Sequence, residues 1–226
     1  MPLPNPDAIF ELRFYRVQVG RDADMRARVQ KDLNRVFPKH GIRPLGSWTA
    51  VSAPSLPMFV YITPFENMLE RARCWASFYA DPDWHEVRAR TNAGSELVEE
   101  YEIQFLRGLT DWTEDAPGGL DEIVIQRTLI GKGAAAAEAL AAEREALEHT
   151  GAFVQGQFEM LSGGILPAAV TFLRWRDWNT RANAQQTLDF SSTRSKRMAR
   201  ELAAYGQPLL GHRTSFLLSP VPVAWA

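Results

Sequence analysis

The chain has 226 residues, a net charge of −2, 46% hydrophobic side chains and 23% charged ones. That balance builds a real core in one large domain or in two of roughly 100 residues each, and it offers no positive excess to attract nucleic acid or an anionic membrane. Cys74 is the single cysteine, which excludes an intrachain disulfide, and no window approaches the ~20 apolar residues that cross a bilayer.

The amino-terminal segment MPLPNPDAIF lacks the basic start and long apolar stretch of a secretory signal, so a cytoplasmic location is the expectation. Ile9 to Val17 is rich in β-branched and aromatic residues and predicts a strand that Gly20 ends. Asp22 to Lys39 follows as one helix, with Met25, Val29, Leu33, Val36 and Phe37 near helical spacing and Gly41 as its C-cap. Ile42 to Ser52 and Met58 to Phe65 are the next strands, joined by an Ala-Pro-Ser-Leu-Pro hairpin loop. Glu66 to Tyr79 is a second helix, in which Cys74 reads as a core residue. Asp81-Pro82-Asp83 opens another helix with proline in its first turn. Leu97 to Leu109 closes this set as a strand. The same order then recurs: a strand from Glu122, a helix from Ala134, strands from Phe153 and Ala169, helices from Asp177 and Ser191, and a last strand from Leu209 to Leu218.

The recurrence extends to residues. FELRFYRVQVG lies over DEIVIQRTLIG, so Glu11 meets Glu122, Arg16 meets Arg127 and Gly20 meets Gly131. HGIRPLGSWTAVS lies over TGAFVQGQFEMLS, so Gly46 meets Gly156 and Trp48 meets Phe158. The match runs on through Leu56-Pro57 over Leu166-Pro167 and Arg71-Ala72 over Arg181-Ala182. A long internal period of this kind predicts a duplicated domain. The expected division is residues 1–112, an acidic, glycine-rich linker at 113–119, and residues 120–226. Strand-helix-strand-strand-helix-strand is the ferredoxin-like unit, whose helices cover one sheet face only. The expected fold is therefore α+β: two tandem ferredoxin-like βαββαβ repeats packed sheet to sheet as a dimeric-type α/β barrel.

Three stretches, FELRFYRVQVG, KHGIRPLGSWTAVS and WASFYADPDWHEVRAR, together resemble the NIPSNAP family. The matching positions are Tyr15 and Arg16, then His40, Gly41, Gly46 and Trp48, then Trp75, Phe78, Asp81, Pro82 and Trp84. The likeness covers about residues 8 to 109. In the second copy Tyr15 becomes Gln126, His40 becomes Thr150 and Trp48 becomes Phe158, so that copy is a diverged one. The resemblance implies the dimeric α/β-barrel group, which includes cofactor-free monooxygenases, isomerases, polyketide cyclases and haem-binding enzymes. It supplies no catalytic motif, and a shared fold is only an analogy for function.

Alternation along the first strand puts Phe10, Leu12 and Phe14 on one face and Glu11, Arg13 and Tyr15 on the other. The apolar set is expected under the helices and the polar set inside the barrel. The polar set reads either as an internal ion pair, since a buried charge must be paired, or as a cluster that orients a ligand. The second copy carries Glu122, Val124 and Gln126 on that face, then Gln155, Gln157 and Glu159 on its next strand. Glu159 becomes a general-base candidate if burial raises its pKa. His212, in the last strand, is expected to reach the barrel interior. His40 and His149 end helices, and His85 faces solvent or, on the resemblance, serves a haem. No residues show metal-ligand spacing, and Gly131-Lys132-Gly133 lacks the rest of a phosphate loop.

The catalytic candidates are thus Glu11, Arg13, Tyr15, Glu159 and His212, with Trp48, Thr49, Tyr61, Gln126 and Gln157 as substrate-lining residues. The leading reading is an enzyme that needs no cofactor and acts on a small aromatic or polyketide-like molecule in a barrel pocket. A non-catalytic binding or scaffold protein, functioning as a homodimer, is one alternative, and a haem protein is another.

Overall fold

A computed structural model describes residues 7–113 and 118–225. The middle of the expected linker, 114–117, and most of the segment read against a secretory signal, residues 1–6, lie outside the described residues. Eight antiparallel strands form one closed barrel: β1 (Ile9–Val17), β2 (Gly46–Ser52), β3 (Met58–Phe65), β4 (Val98–Gly108), β5 (Leu120–Thr128), β6 (Phe153–Ser162), β7 (Ala168–Trp175) and β8 (Leu210–Pro220). Their hydrogen-bonding order is β1-β3-β2-β8-β5-β7-β6-β4, and β4 returns to β1. Among the described residues no helix is long and apolar enough to cross a membrane.

The chain divides into two compact units. The first runs up to Gly108 and also takes the segment from Phe216 onward; the second holds Leu109 to Ser215. In the first unit β1 is central, flanked by β3 and β4 with Leu12 opposite Ile62 and Gln104. Its helices are α1 (Asp22–Ala27), a π-helical segment (Arg28–Leu33), α2 (Asn34–Lys39), α3 (Met68–Tyr79) and α4 (Pro82–Thr91). The single helix expected from Asp22 to Lys39 is therefore interrupted in its middle by a wider turn, which buries Arg28, Val29 and Leu33 together. Asn67 and Asp81 cap α3 and α4 by accepting hydrogen bonds from Glu70 N (2.9 Å) and Asp83 N (2.8 Å).

Both faces of β1 are buried, and their assignment is the reverse of the sequence expectation. Tyr15 packs with Tyr61, Phe37, Trp75 and Phe78 in the layer between sheet and helices. Glu11 reaches Arg71 and Trp75 of α3. The polar set thus lies under the helices. Phe10, Leu12 and Phe14 instead share the opposite face with their cross-strand partners Leu106, Ile62 and Val60. That face carries mainly apolar side chains, including Trp48, which is opposite Val60, with Gln104 buried opposite Leu12. A Cβ on Gly46 would stand 2.4 Å from the Trp48 ring. The Gly-Ser-Trp spacing is thus a packing device, with the glycine leaving the hollow in which the indole lies.

The segment after β8 completes the first unit. Val221 N donates to Ser47 O (2.8 Å), Ser47 Oγ donates to Val221 O (3.0 Å), and Trp225 stacks on Phe37 with ring centroids 5.8 Å apart.

The second unit is built from β5, β6, β7 and the start of β8, with α5 (Gly133–His149), α6 (Trp178–Asp189) and α7 (Ser192–Tyr205). Asp177 and Ser191 cap α6 and α7. Trp112, from the stretch after β4, is buried against Phe158 and Phe172. Gly156 makes room for it: an added Cβ would lie 3.0 Å from the Trp112 ring. The hairpins β2–β3 and β6–β7 each carry a cis peptide, at Leu56-Pro57 and Leu166-Pro167.

Candidate active site

The site grows from three alternate residues of β1 and the helix above them. The Glu11 carboxylate is fully buried and accepts from Arg13 Nε, from Arg71 Nε (2.6 Å) and from Trp75 Nε1 (3.1 Å). The Arg13 guanidinium lies over the Trp75 ring, 3.8 Å from its centroid. Its Nη1 donates to the Tyr15 hydroxyl (3.0 Å), which is 2.8 Å from the Tyr61 hydroxyl. Glu11, Arg13, Tyr15 and Tyr61 thus form one hydrogen-bonded chain, and all four were singled out in the sequence. Glu11 and Arg13 are the ion pair expected of a buried charge, and Tyr15 continues from that pair.

Burial raises the pKa of Tyr15 and Tyr61, with Arg13 pulling against it in both. Both phenols are therefore protonated at neutral pH. Burial also opposes the charge on Arg13, but Tyr61, Tyr15 and Glu11 outweigh it and hold the guanidinium above its ordinary value. Arg13 is a fixed cation behind the Tyr15 oxygen.

Tyr15 lines a cavity of about 380 Å3 between the sheet and the helices of the first unit. Aromatic walls come from Phe37, Trp75, Phe78, Tyr79, Trp84 and Tyr101, and polar groups from Arg28, Arg88, Asn92 and Glu96. This volume falls in the range of small-molecule pockets. The cavity lies on the helix side of the sheet; the sequence placed a pocket on the other side, where Trp48 and its neighbours are packed. When Tyr61, which does not line the cavity, donates to Tyr15, the Tyr15 proton is left for an acceptor inside it. The arrangement can hold a ligand oxygen and stabilise negative charge that develops there.

The other candidates lie elsewhere. Thr49 is half-buried opposite Phe59 and outside the cavity lining. Gln126 and Gln157 line a space of about 30 Å3 in the second unit, together with Glu122, Arg181 and Trp175. Such a space holds about one water. There Glu122 accepts two bonds from Arg181 (2.8 Å each) and one from Trp175 Nε1 (3.0 Å). Glu159 is half-buried on β6 opposite Ala169. His212 is exposed and edges an open groove of about 650 Å3 with Arg194, Arg197 and Arg213, which corrects its expected inward position. His40 joins two helix ends, through Ser77 Oγ (2.8 Å) and Asp81 Oδ2 (2.7 Å). His85 bonds the Tyr79 carbonyl (2.8 Å). Among the described residues no cluster of three or more His, Cys, Asp or Glu could hold a metal ion.

Sequence reasoning missed Arg28, Trp75 as a ligand of Glu11, and Asn92. Arg28 carried a signal: it follows Met25 by three residues and precedes Val29, so it interrupts the buried stripe of a helix with a charge.

An eight-stranded closed antiparallel barrel with helices is an α+β fold of the dimeric α/β-barrel type. Residues 10–111 match the NIPSNAP family model, and that part of the chain is similar to this family. In fold, the chain is similar to a candidate monooxygenase from Lactobacillus acidophilus (TM-score 0.63, 9% identity, 97% of each chain covered). It is similar in the same way to an anthrone oxidase-like protein (TM-score 0.63, 11% identity, 98% of this chain and 94% of the other covered). A NIPSNAP domain protein from Burkholderia xenovorans aligns with 43% of this chain and 91% of its own, at 23% identity and TM-score 0.38. By sequence, none of the curated proteins matches. At these identities the likenesses are of fold alone.

Proposed function

We propose that the chain is a tandem duplication of a ferredoxin-like NIPSNAP unit, in which the first copy is an enzyme acting on a small aromatic ligand and the second is a diverged copy. The reaction is of the monooxygenase, isomerase or cyclase type. The observation that carries this reading is the Tyr15 hydroxyl: it ends a buried Glu11–Arg13 chain and faces an aromatic cavity large enough for a ligand. A carbonyl oxygen of the ligand accepts the Tyr15 proton in a hydrogen bond. Transfer of a neighbouring C–H proton to a base of the buffer then places negative charge on that oxygen, where Tyr15, backed by Arg13, stabilises it. Trp75, Phe78 and Trp84 hold the rings and exclude water. The second unit retains the Glu122–Arg181–Trp175 cluster but has Gln126 in place of Tyr15 and almost no space, which supports a structural role for it. The fold neighbours named for oxygenase chemistry support the class of ligand.

Anthrone, an aromatic ketone with an acidic methylene group, is a suitable probe. Incubated with the protein in aerated buffer, it should be converted to the quinone faster than in buffer alone, and Tyr15→Phe should remove most of the acceleration. A small-molecule panel that leaves the intrinsic tryptophan fluorescence unchanged, with no acceleration for anthrone, would overturn the proposal and favour a scaffold role.

A further inference from the structure

Arg28 opens the π-helical segment and is 5% exposed. Its Nη2 donates to Asn92 Oδ1, and its guanidinium stands 5.7 Å from the Trp84 ring centroid. Its Nε is buried with no hydrogen-bond partner. No carboxylate pairs with it among the described residues, whereas its neighbours are matched: Arg21 with Asp24 (2.5 Å) and Arg88 with Glu96 (3.2 Å). Arg13, the other buried arginine of the unit, has Glu11. Burial lowers the pKa of Arg28 to about 10, with Glu96 resisting and Arg21 and Arg88 adding to the fall. Arg28 is therefore still a cation at neutral pH, held out of water with no carboxylate in contact, Glu96 and Asp32 acting on it only from a distance, which is costly for a fold that gains nothing from it. It lines the same cavity as Tyr15. Short π-helical insertions are frequent at functional sites, and here the insertion begins at the residue in question.

We propose that Arg28 recognises an acidic group, so that the ligand of this cavity is an aromatic carboxylic acid. Its carboxylate pairs with Arg28, its rings lie against Trp75, Phe78 and Trp84, and its remaining polar oxygen meets Tyr15. This rests on the reading of the cavity as a ligand site and adds the charge of the ligand to it. Asn92 positions the guanidinium by accepting from its Nη2. Arginine suits the role because its planar fork matches a carboxylate in two parallel bonds.

The test compares naphthoate with its neutral counterpart naphthamide by quenching of tryptophan fluorescence and by calorimetry. Wild-type protein should bind naphthoate roughly ten- to hundredfold more tightly, the range of one charge-assisted pair in a desolvated site. Arg28→Met should abolish that preference while leaving naphthamide binding in place, and Arg28→Lys should restore part of it. The wild-type comparison needs no variant, so it decides even if Arg28→Met folds poorly. Equal binding of the two probes, or a preference that survives Arg28→Met, overturns acid recognition while the cavity reading stands. Absence of binding by either probe overturns both.

Discussion

Glu11→Gln should be among the most damaging conservative substitutions in the molecule. Glu11 is 0% exposed and Arg13 is 3% exposed, so neither can exchange its partner for water. The amide keeps the shape of the carboxylate and one acceptor oxygen but removes the charge that compensates Arg13. Breaking a buried pair from one side costs about 3–5 kcal/mol. At about 2–4 °C per kcal/mol for a chain of this size, the melting temperature should fall by roughly 6–20 °C. Glu122→Gln is the internal control. Glu122 makes a similar set of bonds, but its cation Arg181 is 23% exposed and can turn to solvent. Its loss should cost about 1–3 kcal/mol. Thermal and urea unfolding followed by circular dichroism would measure both. Glu11→Leu combined with Arg13→Met should recover much of the loss, because a buried ion pair is often replaceable by apolar side chains. If Glu122→Gln hurts as much as Glu11→Gln, the argument from burial of the cation is wrong.

Tyr15→Phe should destabilise by about 1–3 kcal/mol, since it leaves Arg13 Nη1 and the Tyr61 hydroxyl without their partner; urea titration reads it. In an alkaline ultraviolet titration, Tyr15 and Tyr61 should ionise above the ordinary phenol value of 10.0. Their folded pKa values are raised, so their contribution to stability is complete below pH 10 and falls as pH rises beyond it. Tyr15→Phe should remove one of the two late phenols. The Asp81 carboxylate is held below its ordinary value of 3.8, first by the bond from His40 and then by the Asp83 N–H. Its contribution is present above pH 3.8 and lost as pH falls below it; Asp81→Ala should remove this and cost about 1 kcal/mol as a lost helix cap, seen as a flatter acid limb in pH-dependent melting. Arg28→Met, by contrast, should leave the melting temperature of the ligand-free protein unchanged or raise it, because the buried charge it deletes has no carboxylate in contact.

Much of this molecule is written locally. Runs rich in β-branched and aromatic residues marked the strands, and Asp81, Asp177 and Ser191 marked helix starts where their side chains cap them. Alternation also grouped Glu11, Arg13 and Tyr15 correctly, because which residues share a face is a property of the backbone alone. It could not say which face is which. That depends on what covers each side, and the usual rule, apolar residues beneath helices, fails when both sides are buried. Here α3 supplies Arg71 and Trp75 to satisfy Glu11, so the polar face can be the covered one. Trp48 was read as a cavity wall from its strand position, yet the signal of its actual role was two residues away: Gly46 is the hollow for its ring. Arg28 shows in the sequence only as a charge within a buried stripe; that no carboxylate touches it depends on residues distant in the chain and has no local signature. The break in the helix around it is likewise a product of packing that periodicity does not encode.

The composition of the first unit has a consequence for how the protein is made. Val221, Val223 and Trp225 belong to its core, although they follow the entire second unit in the chain. A ribosome that has delivered Gly108 has released most of this unit but not the strip that seals Phe37 and Ser47. The second unit has its own residues in hand once Ser215 emerges, so it can mature first. The half that is synthesised first of the two, and that contains the Tyr15 cavity, must wait for Val221, Val223 and Trp225 to arrive.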